Sequence, residues 1–167
     1  KDFDCEDFLK VPEPLIKKNF SRIMSLKDGL KKMSKSDPSD LSRINLTDNK
    51  DQIINKIKKA KTDSFPIPNE EKKLKDRPEA ENHLGIYSST LDQTLDKTLE
   101  EFGGKNFSDL KSQLAEVLSS KISPISDEIK KLINDYEYLD KILAGGASKA
   151  EEIAGKKIVE MKKIIGF

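Results

Sequence analysis

Apolar residues recur at steps of three or four through the second half of this chain, and that spacing is the strongest constraint on its fold. Leu91, Leu95, Leu99 and Phe102 form one row. Phe107, Leu110, Leu114 and Val117 begin another, which resumes after an interruption through Ile125, Ile129, Leu132, Tyr136, Leu139 and Leu143. Steps of three to four are the helical repeat, so each row predicts a helix with one buried face. Leu84, Tyr87 and Leu91 predict an earlier helix, and Gly103-Gly104 should end the row at Phe102 by admitting a left-handed cap. Pro124 sits in the interruption and should kink a helix or open a second one with Ser123 as its cap. Gly145-Gly146 is expected to break the chain. Ser148 and Glu151 then read as the capping box of a last helix whose Ala150, Ile153, Ala154, Ile158, Met161 and Ile165 face inward. A stripe of this length would also suit a coiled coil, but Pro and Gly breaks at these intervals favour short antiparallel packing. Residues 79–167 are therefore expected to form an antiparallel helical bundle.

Composition agrees with slender helices. Hydrophobic residues are 35% and charged residues 37% of 167, without Trp, which disfavours a thick sheet core. A formal charge of +1 excludes a uniformly basic nucleic-acid protein while leaving room for local basic faces. The single cysteine, Cys5, has no internal partner and reads as a spare thiol in a reducing, cytoplasmic setting. No apolar run has the length of a membrane span, so a soluble chain with no membrane contact is expected. The sequons at Asn19, Asn45 and Asn106 are then chance matches. The chain starts at Lys1, which reads as part of a longer polypeptide.

Upstream of the bundle lie two further zones. Residues 1–40 carry turn chemistry at Pro12 and Pro14, then Arg22-Ile23-Met24-Ser25-Leu26, whose alternation predicts a short strand stopped by Asp28-Gly29. With no partner in view, that strand would belong to a sheet lying elsewhere. Residues 41–78 begin with a helix capped by Thr47 or Asp48, with Ile53, Ile54, Ile57 and Ala60 on one face and Lys50, Lys56, Lys58, Lys59 and Lys61 on the remaining surface. Those lysines read as a solvated face or a contact for a phosphate backbone. Residues 62–78, with Pro66, Pro68 and Pro78, read as a charged connecting loop.

Chemistry is concentrated in one place. No Gly-rich phosphate loop, dinucleotide fingerprint or Cys/His metal spacing occurs, and His83, the only histidine, reads as a packing or capping residue at a helix start. Lys32-Met33-Ser34-Lys35-Ser36 remains. Two ammonium groups three residues apart on a Ser-rich turn can clamp a polyphosphate.

That pentapeptide is identical to the KMSKS signature of class I aminoacyl-tRNA synthetases. Its surroundings resemble the bacterial-type tryptophanyl-tRNA synthetase family: Arg22 to Leu26 before it, Ile44-Asn45-Leu46-Thr47-Asp48 after it, Lys59-Ala60-Lys61-Thr62-Asp63, Arg77-Pro78, Asn82, Gly85-Ile86-Tyr87, Pro124-Ile125 and the stretch from Gly145 to Ala154. The resemblance runs to the end of the chain and implies the C-terminal portion of such an enzyme. It implies a strand and KMSKS loop left from a Rossmann-type catalytic domain (1–40), a connecting helix and loop (41–78), and a helical tRNA-binding domain (79–167). The implied activity joins tryptophan to ATP, with Mg2+ accompanying the nucleotide and no metal ligand from this chain, and passes the aminoacyl group to tRNA(Trp). A homodimer is implied at full length. Lys32 and Lys35 would be catalytic, neutralising charge on the departing pyrophosphate, with Lys35 the stronger contributor in the transition state. Ile23, Lys32, Met33, Ser34, Lys35 and Ser36 would bind ATP, Ile23 and Met33 lying against the adenosine. The family's His-x-Gly-His element is absent, so the chain is expected to be inactive alone. Two alternatives remain at this point: a non-catalytic tRNA-binding helical module, and an interaction protein whose apolar stripe serves oligomerisation.

Overall fold

The structure, a computed structural model, describes residues 8–16 and 20–167. Cys5 and Asn19 lie outside the described residues. The described chain is mainly helical, with one small sheet, and divides into two compact units: Ile16–Lys130, and Lys131–Phe167 with the described residues up to Leu15.

In the larger unit the predicted strand has a partner within the chain, which corrects the expectation of a lone strand. β1 (Met24–Ser25) pairs antiparallel with β2 (Asp28–Lys32), Met24 opposite Lys32 and Ser25 opposite Asp28, with an irregularity between. The reversal falls at Leu26-Lys27, where the Lys27 amide donates to Ser25 Oγ at 3.2 Å. Asp28-Gly29 therefore opens the second strand, where it was expected to stop the first. Glycine is needed there because a Cβ on Gly29 would sit 2.7 Å from the carbonyl carbon of Pro78 and 2.8 Å from the amide of Glu79, both backbone atoms.

α1 (Lys50–Lys59) is capped two residues beyond Thr47 and one beyond Asp48, the caps predicted for it. Asn49 is the N-cap, and its side chain and that of Gln52 exchange backbone hydrogen bonds at 2.9 and 2.8 Å in a capping box. Ile53, Ile57 and Ala60 are buried as expected, while Ile54 is exposed. Lys56 departs from the expected solvated face and is 2% exposed.

The connecting loop is pinned. Arg77 forks onto both oxygens of Asp63 and donates to the carbonyls of Phe65 and Pro66, each at 3.1 Å. Ile67 is buried and exchanges backbone hydrogen bonds with the Gly104-Lys105 turn at 2.8 and 2.9 Å. Within the loop, a 3-10 turn at Glu71–Leu74 buries Leu74. Pro78, expected in the loop, is the first residue of α2 (Pro78–Thr90), where its missing N–H costs no helical bond.

α2 is the centre of this unit: every residue from Asn82 to Ser88 is buried. α3 (Leu95–Phe102), capped by Thr94, sets Phe102 edge-on to Tyr87 with ring centroids 5.0 Å apart. Gly104 takes a φ of 76°, the expected left-handed turn after α3. α4 (Phe107–Ile133) adds Phe107, Leu110, Leu114, Ala115 and Leu118 to the core. It runs through Pro124, so Ser123 is a mid-helix residue, not a cap.

The other unit differs most from expectation. α5 (Tyr136–Ile165) is continuous through Gly145-Gly146, and Ser148 and Glu151 lie inside it. The break falls at Asn134-Asp135, where the Asp135 carboxylate accepts from the Tyr138 amide at 3.0 Å. Two interior glycines cost a helix about 2 kcal/mol. Ending it there would leave up to eight backbone groups to be satisfied. No residue of α5 is buried, and Ile153, expected to face inward, is 77% exposed.

Candidate nucleotide-binding site

The signature residues emerge from the hairpin. Lys32 is the last residue of β2, so the loop proper comprises Met33 to Ser36. The Met33 amide donates to the Ile23 carbonyl at 3.0 Å, which brings those two residues together at the mouth of the hairpin, both packed against the core. Beyond it the chain turns tightly. The Ser36 amide donates to Ser34 Oγ at 3.3 Å, the two hydroxyls are 3.0 Å apart, and the Asp37 amide reaches the Ser34 carbonyl at 3.4 Å. Lys32, Ser34, Lys35 and Ser36 are all exposed. Among the described residues neither Lys32 nor Lys35 has an acidic partner, whereas neighbouring Lys31 lies 3.7 Å from Asp28. The arrangement presents two unneutralised ammonium groups and two hydroxyls to solvent from a rigid stem.

The stem is fixed to the fold on three sides. The Leu26 amide donates to the Ser42 carbonyl at 2.9 Å, and its carbonyl accepts from the Lys61 amide at 2.7 Å. Asn82 of α2 holds the backbone of Met24 through both polar atoms of its amide.

Downstream of the loop, residues 37–56 form a network that sequence reasoning missed. Lys56 Nζ lies 2.6 Å from Asp48 Oδ2 and 2.7 Å from Asp40 Oδ2. Its hydrogen bond, with a further one from Asn45, holds the Asp40 carboxyl below its usual 3.8. Arg43 closes the network against Asp40, Asn45 and two backbone carbonyls. One signal was available: Lys56 falls three residues after Ile53 and four before Ala60, on the face already assigned to the interior.

His83 takes the packing role expected of it. Its ring is buried, meets Phe107 edge-on at 6.3 Å, and Nδ1–H donates to the Glu79 carbonyl at 2.6 Å. Burial pushes its pKa below 6.5. Among the described residues no group of three or more His, Cys, Asp or Glu could hold a metal ion, and no helix is long and apolar enough to cross a membrane. A cleft of about 1040 Å³ between Lys50, Ile54 and Lys58 of α1 and Phe107, Ala115 and Ser119 of α4 contains none of the signature residues.

A Lys/Ser turn on a hairpin stem, followed by packed helices, defines a class, and residues 1–123 match the model of the tRNA synthetases class I (W and Y). The chain belongs to that family. Its similarity is to the tryptophan branch. It is 52% identical over 155 residues to the tryptophan–tRNA ligase of Rhizobium meliloti, covering 93% of this chain and 44% of that protein. It is 50% identical over 160 residues to that of Agrobacterium fabrum, covering 96% and 45%. The crystal structure of tryptophanyl-tRNA synthetase from Mycoplasma pneumoniae superposes with a TM-score of 0.77 at 28% identity, over 98% of this chain and 49% of that one. The chain thus spans about half the length of the curated relatives it matches.

Proposed function

We propose that this chain is the signature-loop and helical portion of a tryptophan–tRNA ligase, which activates tryptophan with ATP and transfers it to tRNA(Trp). The observation that carries the reading is the pair of exposed ammonium groups at Lys32 and Lys35, without an acidic partner among the described residues, held on a stem braced by Ser42, Lys61 and Asn82. Attack by a carboxylate on the α-phosphate moves negative charge onto the departing pyrophosphate, and positive charge placed there in advance lowers the barrier. Lys35, at the tip of the turn, supplies that charge together with Lys32. Ser34, Ser36 and the loop amides hold phosphate oxygens, and Ile23 and Met33 at the base of the loop lie against the adenosine. Because both lysines are solvated in the free loop, they gain most when a phosphate chain displaces that water. Mg2+ would accompany the nucleotide and would supply further positive charge to its phosphates. Residues 1–40 act as the end of the catalytic domain, 41–78 as the connection and 79–167 as the tRNA-binding part. The complete enzyme works in the cytoplasm as a homodimer.

The test is Lys35→Ala in the full-length polypeptide carrying this sequence. Pre-steady-state adenylate formation should slow by about 100-fold or more, the scale for one preorganised charge-stabilising donor. A rate within about threefold of wild type would remove Lys35 from that role.

A further inference from the structure

We propose that Arg43 is a positioning residue for the loop at residues 32–36, setting where Lys35 stands when the polyphosphate arrives. The inference rests on the ligase reading above. Arg43 follows the 3-10 turn Asp40–Ser42 and turns its guanidinium back toward the loop. Nη1 donates to the carbonyls of Asp37 at 2.9 Å and Ser39 at 3.4 Å, Nε donates to Asn45 Oδ1 at 3.1 Å, and Nη2 stands 3.2 Å from Asp40 Oδ1. Only 18% of the side chain is exposed.

Asp37 immediately follows Ser36, and three bonds converge on it. Its amide donates to Ser34, its carboxylate accepts from the Ser39 amide at 2.8 Å, and its carbonyl accepts from Arg43. Lys35 is therefore suspended between two anchors: Met33 on Ile23 upstream, and Asp37 on Arg43 downstream. The upstream anchor is a hairpin bond that the fold makes anyway. In the downstream anchor, the bond from Arg43 is the one to Asp37 that comes from beyond the turn at residues 34–39.

Arginine suits the position because its planar fork serves carbonyl, amide and carboxylate acceptors at once, which a single ammonium cannot do in the same geometry. Charge balance points the same way. Asp40 is shared between Arg43 and Lys56, and Asp48 offsets Lys56, so the two cations beneath the loop are matched by two carboxylates. The positive charge offered to a phosphate chain is left to Lys32 and Lys35. Arg43 acts through them, without touching the nucleotide.

The experiment measures adenylate formation per active site in the full-length enzyme for Arg43→Met, Arg43→Lys, Lys35→Ala and the pair Arg43→Met/Lys35→Ala. Misplacing a catalytic charge by about 1 Å costs up to 100-fold, so Arg43→Met should lose about 10- to 100-fold in kcat with the KM for tryptophan unchanged. Arg43→Lys, which keeps the charge near Asp40 and loses the fork, should fall between that variant and wild type. The decisive result is non-additivity: once Lys35 is alanine, removing Arg43 should cost less than about threefold, because the charge it positions is gone. Full additivity, or a wild-type rate in Arg43→Lys, overturns the proposal, and the lysine variant decides the matter if Arg43→Met does not fold. A normal rate in Lys35→Ala would instead remove Lys35 from the role set out above, and no adenylate formation by the unsubstituted enzyme would overturn the ligase reading itself.

Discussion

Asn82 holds Met24 from both sides. Its Nδ2 donates to the Met24 carbonyl and its Oδ1 accepts from the Met24 amide, each at 2.9 Å, across 58 residues of sequence. One side chain thus satisfies both polar groups of a residue on β1 that has no further strand beside it among the described residues, and ties the stem of the signature loop to the most buried helix.

Asn82→Leu should therefore destabilise the chain by about 2–3 kcal/mol, two hydrogen bonds plus the cost of leaving buried partners unmet. Asn82→Asp keeps the acceptor but sets a carboxylate against the Met24 carbonyl, and should recover only part of that loss. Urea unfolding of the three proteins checks both, and equal midpoints for wild type and Asn82→Leu would show that the clasp contributes nothing.

Lys56 and Asp48 form a buried pair, with side chains 3% and 5% exposed. Lys56→Met leaves the Asp48 carboxylate inside without its counter-ion, and should cost about 3–5 kcal/mol. The double variant Lys56→Met/Asp48→Asn removes both charges and should be more stable than Lys56→Met alone. Chemical denaturation at pH 7 measures the difference. A double variant less stable than either single one would mean that the pair is not coupled in this way.

His83 predicts an acid limit. Its folded-state pKa lies below the ordinary 6.5 because burial disfavours the cation, an effect that exceeds the opposing influence of the Glu79 carbonyl. Nε2 has no partner among the described residues, so a proton added there would be buried unmet. A depressed pKa contributes stability that is fully present above the unfolded value and is lost as pH falls through the folded one. Unfolding free energy should decline below about pH 6.5, and His83→Phe should flatten that decline. With a single histidine in the chain, its imidazole NMR signal can be followed without ambiguity. A midpoint at or above 6.5 in the folded protein would refute the account.

Much of this was legible in the residues. The 3.6-residue rows located α1, α3 and most of α4, because helical amphipathicity is local and each row needs only its own neighbours to be seen. The Lys32 to Ser36 signature was equally local, since the spacing of charges on a turn is written in consecutive positions. Position-specific errors arose where a residue has two admissible roles. Gly29 could end a strand or let a helix backbone approach it, and the second is found. Gly145-Gly146 could break a helix or be carried within it, and α5 carries it.

Sequence alone determined the helical class and the family and located the Lys32 to Ser36 signature, all of which depend on residue identity and short-range spacing. Tertiary structure alone decided that β1 has a partner, that Lys56 is an interior cation, and that Arg43 and Asn82 reach the backbone of Asp37 and Met24. These last are matters of burial and long-range hydrogen bonding. A lysine on an apolar face or an asparagine in a helix acquires its role from the carboxylate or backbone that folding brings to it, and no local pattern records that partner.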